Sequence, residues 1–337
     1  MKQLSFLDRY LTLWIALAML GGVALGQFAP GWVALLSGLQ SGQVNAPLAV
    51  GLILMMYPPL CKVRYEALAR LTLSPRAVGL TLLLNWVVAP LVMLALAWLL
   101  LPDMPEYAQG LVLVGIAPCI AMVLVWVDLS DGNGELAAAL VALNSLLQIA
   151  LFSLYAWVFL AVVPAAVGLP ATLVHISISE IAQTVLLYLG TPLAMGFVTR
   201  QVFLRLKGEE WFRTVFLPRI SPLTLIALLA TIVIMFSLKG ELIVALPVHV
   251  LRVAVPLVVF FTLQFGMGYV LSRRLGCPLA DRATVAFTAS GNNFELAIAV
   301  AIAVFGLQSP QALASVVGPL VEVPVLYALA RWVRSRE

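Results

Sequence analysis

Apolar residues in this chain come in long blocks, separated by short segments where charges, prolines and glycines gather. Within a block the apolar positions follow neither the strict alternation of a half-buried strand nor the single stripe of a surface helix. They go all the way round, as expected of a helix whose whole circumference meets lipid or other helices. Ten such blocks, at 10–30, 44–61, 77–101, 107–127, 135–163, 180–203, 215–238, 245–271, 282–305 and 310–331, predict ten membrane-crossing helices. Each has the length to cross about 30 Å of hydrocarbon at about 1.5 Å per residue. The first block follows a charged start, as in a signal peptide. It is too long for such a peptide and lacks a small-x-small cleavage site, so it is read as a retained span.

Composition agrees with that pattern and charge adds an orientation. Of 337 residues 63% are hydrophobic and 10% charged, with mean hydropathy +1.08, which predicts an all-α polytopic membrane protein in a lipid bilayer. The pI near 9.1 does not point to nucleic acid, because the basic residues sit in short loops. In the ten-span scheme 17 of the 19 Lys and Arg residues fall on one side, leaving only Lys239 and Arg252 elsewhere. The positive-inside rule then places both termini in the cytoplasm. The acidic stretch Asp128-Leu129-Ser130-Asp131-Gly132-Asn133-Gly134-Glu135 also falls on the cytoplasmic side and reads as a tight, solvated turn.

Five spans on either side of residues 164–180 give two halves, 1–165 and 176–337, and an odd number of crossings per half sets them in opposite orientations. The fourth span of each half carries a break: Ala117-Pro118-Cys119 in one, Ser290-Gly291-Asn292-Asn293-Phe294-Glu295 in the other. Proline cannot supply the N–H that closes the preceding helical turn. Backbone freed in this way survives at membrane depth only where protein or a water-lined cavity satisfies it. Interrupted helices at matching positions of inverted halves point to the binding site of a secondary transporter.

Glu295 lies well inside the ninth block between Phe294 and Leu296. An intramembrane carboxyl of this kind serves ion or substrate passage, here as a group that loads and releases a proton, or else ties two helices together. Asn292 and Asn293 beside it supply further polar groups. Cys119 admits two readings from its surroundings alone. A lone cysteine in an apolar helix is a small packing residue; one just after a helix-breaking proline, where a half-helix restarts, is a nucleophile favoured by the helix N-terminus. Glu322, between Pro319 and Pro324, is a second intramembrane acid that reads as support for a kink. Asn144 and Gln148 are four apart and share a helix face, as substrate contacts or interhelical bonds. Asn85 resembles them, Arg252 is expected to snorkel to the outer interface, and His175 and His249 form no metal constellation. The tandem prolines in Met55-Met56-Tyr57-Pro58-Pro59-Leu60-Cys61-Lys62 are expected to stop the second helix.

Cys61, Cys119 and Cys277 have neither disulfide-framework nor zinc spacing. No phosphate-binding glycine loop, HExxH, GxSxG or kinase set occurs, and the loops are too short for a nucleotide-binding domain. The expectation is a carrier rather than an enzyme, without a cofactor, driven by an ion gradient.

At these motifs the chain resembles the arsenical-resistance-3 type of arsenite efflux permease. The resemblance rests on Leu4-Ser5-Phe6-Leu7-Asp8-Arg9-Tyr10-Leu11-Thr12, the Met-Met-Tyr-Pro-Pro-Leu-Cys-Lys stretch and Cys119-Ile120-Ala121-Met122-Val123-Leu124-Val125-Trp126. Leu140 to Gln148, Asn292-Asn293-Phe294-Glu295-Leu296 and Gly318-Pro319-Leu320-Val321-Glu322-Val323-Pro324 complete it, in the expected order over nearly the whole chain. Pro118 and Val127 depart from the pattern, some members carrying Arg and Asn there. The resemblance implies the bile-acid sodium symporter architecture, with broken helices four and nine crossing. It implies plasma-membrane export of arsenite, with antimonite as a second substrate, in exchange for protons. Cys119 would be the arsenic(III) ligand, with Asn292, Asn293 and Asn144 around the substrate, Glu295 the proton carrier, and Glu322, Gln148 and Pro118 in support. A sodium-coupled organic-anion symporter of the same fold is the rival, needing several oxygen ligands for Na⁺ near the crossing.

Overall fold

The computed structural model describes residues 10–41, 44–120, 122–166, 168, 178–238, 246–306 and 309–335. Lys2, Arg9, His175, Lys239, Arg336 and most of the first resemblance motif lie outside the described residues. Apart from a two-residue antiparallel ladder, Gln40–Ser41 with Val44–Asn45, all regular structure among the described residues is helical. In hydrocarbon the backbone has to satisfy its own hydrogen bonds, and a helix does so within one segment.

In chain order the helices are α1 (Leu11–Phe28), α2 (Pro30–Gly38), α3 (Ala46–Cys61), a 3-10 segment (Tyr65–Leu73), α4 (Pro75–Leu100), α5 (Pro105–Gly115), α6 (Val123–Leu129) and α7 (Gly134–Ala166). The helical run Ile178–Ser237 follows, then α10 (Leu246–Arg274), α11 (Leu279–Ser290), α12 (Phe294–Phe305) and α13 (Pro310–Arg334). Five of these runs are individually long and apolar enough to span a bilayer among the described residues, six if α1 with α2 is one span. The protein is a multi-pass membrane protein.

The run from Ile178 to Ser237 corrects one expectation. A loop is expected near 204–214; instead the helix is interrupted only at Gly208, with φ 83° and ψ 166°. Sixty residues of straight helix would measure about 90 Å, and the chain avoids this by folding back there. Phe203 packs on Phe216 at 4.8 Å between ring centroids, and the Arg200 guanidinium sits 5.7 Å from the Phe212 ring. Two limbs result, α8 (178–207) and α9 (209–237), and both pack on α3. The first predicted span is shortened too, because α2 leaves α1 at 102° after Phe28. The second helix closes where expected: Pro58 and Pro59 lie in the last turn of α3, which ends at Cys61.

α13 occupies the centre. From Gln311 to Val323 every residue but Leu320 is buried, and the helix packs on α1, α5, α10 and α12. Large apolar side chains such as Leu20, Leu99 and Leu251 point outward, as lipid-facing residues do. The ends are tied by polar contacts. Asp281 accepts from Ser74 Oγ at 3.0 Å and from Asn133 Nδ2 at 2.8 Å, joining the starts of α4, α7 and α11. The acidic turn is not simply solvated, since Asp131 pairs with Arg334 at 3.4 Å. At the opposite end Arg252 does not merely snorkel: it grips Asp103 through both guanidinium NH groups at 2.7 and 2.5 Å. This holds the Asp103 carboxyl below the ordinary aspartate range. His249 Nδ1 lies 3.0 Å from Tyr107 Oη alongside.

Candidate functional site

The two interrupted helices meet at their breaks. α5 ends at Gly115 and α11 at Ser290, and the extended residues that follow run antiparallel past each other, with Pro118 opposite Asn292. Cys119 N–H donates to the Gly291 carbonyl at 3.0 Å and Asn293 N–H to the Ala117 carbonyl at 2.7 Å. Both bonds come from the neighbours of the facing pair. Pro118 therefore occupies the position of an antiparallel pair that exchanges no hydrogen bond, where its missing N–H costs nothing.

The side chains predicted as site residues complete this crossing. Asn292 Nδ2 donates to the Val114 carbonyl at 2.8 Å, capping the end of α5. Asn293 does two jobs: its Oδ1 accepts from Leu296 N–H at 3.1 Å as the N-cap of α12, and its Nδ2 donates to Gln148 Oε1 at 2.8 Å. Gln148 in turn donates through Nε2 to the Pro118 carbonyl. Gln148, a supporting residue on sequence grounds, is thus central, while Asn293 has both polar atoms engaged in the scaffold. Asn144 points elsewhere, its Oδ1 accepting from Trp86 Nε1 at 3.2 Å, with its Nδ2 buried and without a partner.

Cys119 is buried, is not in a disulfide, and lies against Gly291. A β-carbon on Gly291 would come within 2.9 Å of Cys119 Cβ and 3.2 Å of Glu322 Oε1, so thiol residue and carboxylate flank the same bare stretch of backbone. Glu322 is 3% exposed, the Asn292 backbone N–H faces its carboxyl, and its Oε1 has no hydrogen-bond partner; neither has Asn292 Oδ1. Two buried acceptors without donors at one crossing are costly to leave unmet. They suit a small ligand bearing hydroxyl groups. Glu295, in the first turn of α12, is close enough to interact electrostatically with Glu322. Its side chain is partly exposed.

Sequence reasoning missed Gly291, visible only as one breaker in a polar run, and it underrated Glu322, whose flanking prolines suggested a kink. No group of three or more His, Cys, Asp or Glu residues suited to a metal ion occurs among the described residues. Cys277, in the loop before α11, is buried, and burial with Asp281 nearby pushes its thiol up. Cys61 is buried at the end of α3.

Residues 49–246 match the Sodium Bile acid symporter family. The chain is 49% identical over 327 residues to the arsenical-resistance protein Acr3 of Corynebacterium glutamicum, covering 97% of this chain and 88% of that one. It is 35% identical over 340 residues to the arsenical-resistance protein Acr3 of Alkaliphilus metalliredigens, covering 98% and 93%. An uncharacterized transporter of Synechocystis is 38% identical over 346 residues, covering 97% and 88%.

Proposed function

The chain belongs to the Acr3 family of arsenical-resistance proteins, within the sodium bile acid symporter family, and from that premise we propose that it exports arsenite from the cytoplasm across the plasma membrane in exchange for protons. The ten spans form two inverted halves, 1–165 and 176–337, with both termini cytoplasmic, as the distribution of Lys and Arg supports. The fold-back at Gly208 supplies two of those crossings, and the broken pairs α5/α6 and α11/α12 are the fourth and ninth.

The observation that carries this reading is the pairing of Cys119 and Glu322 across Gly291, with unmet acceptors on Glu322 and Asn292. Arsenite reaches the site as neutral As(OH)₃. The Cys119 thiol displaces one hydroxyl: an S–As bond forms, an As–O bond breaks, and the thiol proton leaves with the hydroxyl as water. Water reverses the step on the outer side. The remaining As–OH groups are the donors that Glu322 Oε1 and Asn292 Oδ1 lack. Proton uptake by Glu295 from outside favours release, and its loss inside resets the carrier. A single thiol gives a reversible site, which a carrier needs. Antimonite, with the same trihydroxide chemistry, fits the same thiol.

The test is growth on arsenite and arsenic accumulation in cells lacking their own exporter, with uptake by everted vesicles under separately imposed proton and sodium gradients. Cys119→Ala and Glu295→Gln are each expected to abolish resistance; full resistance in both variants sinks the mechanism. Uptake that follows the sodium gradient and ignores the proton gradient would favour the symporter reading.

A further inference from the structure

A groove of about 790 Å³ runs along the outward side of α10 from Val258 to Arg274. Its lining is apolar except for Thr262 and, at one end, Arg274. Thr262 turns its hydroxyl back on its own helix, donating to the Val258 carbonyl at 2.8 Å. Gly266 makes the floor: with no side chain it leaves a dent beside Leu263, Met267 and Val270, and a methyl group added there has open space. Val258, Leu263 and Val270 are exposed, while Met267 and Leu271 join the apolar cluster that holds Leu80 and Leu84 of α4. The opposite side of α10 is committed to protein, since Gly268 lets the helix close on Ala286 of α11.

The charged end of the groove is built from two helices. Arg252 and Arg274 stand 22 residues apart with no charged side chain between Arg252 and Arg273. That separation is about 33 Å along the axis, close to the thickness of the hydrocarbon, so Arg274 lies at one membrane surface. From Arg274 up to Leu263 the groove measures about 16 Å, the depth of one leaflet. Arg76, in the first turn of α4, donates to the Leu275 carbonyl at 3.4 Å and so comes to the same end. Arg76, Arg273 and Arg274 are exposed, and none is paired with a carboxylate among the described residues. The nearby acid Asp281 is buried and occupied by Ser74 and Asn133. A second copy of the chain suits this face poorly. In a bilayer a two-fold axis runs along the membrane normal, so identical levels meet and the arginines of one copy would face those of the other.

We propose that this groove binds one anionic phospholipid of the leaflet at the Arg274 end, the cytoplasmic one in the orientation given above. An acyl chain lies along Val270 and the Gly266 dent, and the headgroup phosphate accepts hydrogen bonds from Arg274, with Arg273 and Arg76 beside it. Lipid tails are as apolar as leucine, so the groove contributes close packing and the guanidinium groups contribute the choice of headgroup. The site is separate from the crossing and does not depend on what the carrier moves.

The experiment uses the full chain, purified in detergent, stripped of lipid and titrated in mixed micelles with phosphatidylglycerol or with phosphatidylcholine of the same acyl chains. Native mass spectrometry counts bound lipid per chain, and the thermal midpoint follows its stabilising effect. Wild type is expected to hold one phosphatidylglycerol with an apparent affinity at least about tenfold above that for phosphatidylcholine. Arg274→Gln is expected to cut this preference about fivefold and Arg274→Lys to retain most of it. Gly266→Leu fills the groove from its floor with a better helix former, and it is expected to weaken both lipids at least about fivefold. Equal affinity of wild type for the two lipids, or a preference that Arg274→Gln leaves unchanged, overturns the proposal. Stabilisation by inorganic phosphate equal to that by phosphatidylglycerol also overturns it, because the groove then has no part. A dimer in detergent that Gly266→Leu dissociates assigns the face to a second copy and overturns it as well. If Arg274→Gln does not reach the membrane, the wild-type lipid comparison and Gly266→Leu decide, and unchanged lipid binding in Gly266→Leu refutes the site.

Discussion

Asn293 offers the sharpest test of the crossing, because its side chain makes two separable bonds. Its Oδ1 caps α12 through Leu296 N–H, and its Nδ2 meets Gln148 Oε1. Asn293→Ala removes both. Loss of the cap costs about 1 kcal/mol, and leaving Gln148 Oε1 buried without a donor costs about 1–3 kcal/mol. The sum, roughly 2–4 kcal/mol, is large beside the stability of a typical domain. Asn293→Ser retains a capping oxygen but is too short to reach Gln148, so only the second contribution is lost. Gln148→Leu removes the same bond from the other side and also frees the Pro118 carbonyl. Unfolding of the purified protein by SDS in mixed micelles, followed by tryptophan fluorescence, gives each free energy. Ala is expected to be more damaging than Ser by about 1 kcal/mol. A double-mutant cycle between Asn293→Ser and Gln148→Leu should return a coupling of about 0.5–3 kcal/mol. Equal effects of Ala and Ser would remove the cap from the account, and zero coupling would falsify the link between α7 and the crossing.

Three further outcomes follow from other parts of the structure. Gly208→Ala meets no atom within 4 Å of the new methyl group, so its cost is the backbone conformation alone, about 1–3 kcal/mol by the same SDS titration; a neutral result would mean that the turn is not in this conformation. Asp281→Ala strands Ser74 and Asn133 at the junction of three helices and is expected to lower the thermal midpoint in detergent, while Asp281→Asn recovers part of the loss because one acceptor oxygen remains. Arg252→Gln probes the outer ion pair. The Asp103 pKa is depressed in the folded protein, so the pair's contribution is present above the ordinary aspartate pKa and is lost as pH falls through the folded value. The variant should differ from wild type at neutral pH and converge with it in acid, where thermal midpoints against pH read the difference. Because Asp103 is fully exposed the effect is small.

The sequence by itself determined the membrane class, the approximate place of nearly every helix and the two interruptions. Each follows from local composition: long apolar blocks need no partner to be recognised, and a proline or a Gly-Asn-Asn run breaks a helix wherever it stands. Cys119 and Glu295 were also legible, as a thiol and an acid at those breaks. Tertiary structure decided what those residues meet. That Pro118 faces Asn292 in a pair needing no proline N–H, that Gln148 closes the crossing while Asn144 turns to Trp86, and that Glu322 stands beside Cys119 all depend on segments more than a hundred residues apart or on different helices. The reversal at Gly208 falls in the interval between the blocks at 180–203 and 215–238, where the sequence predicts one; what it does not show is that the chain stays helical up to a single glycine, with Phe203 packed on Phe216 across the turn. Periodicity and breakers report what a segment does alone; hydrogen-bond partners and close approaches across a bundle are set by packing, and that is where the candidate site was assembled.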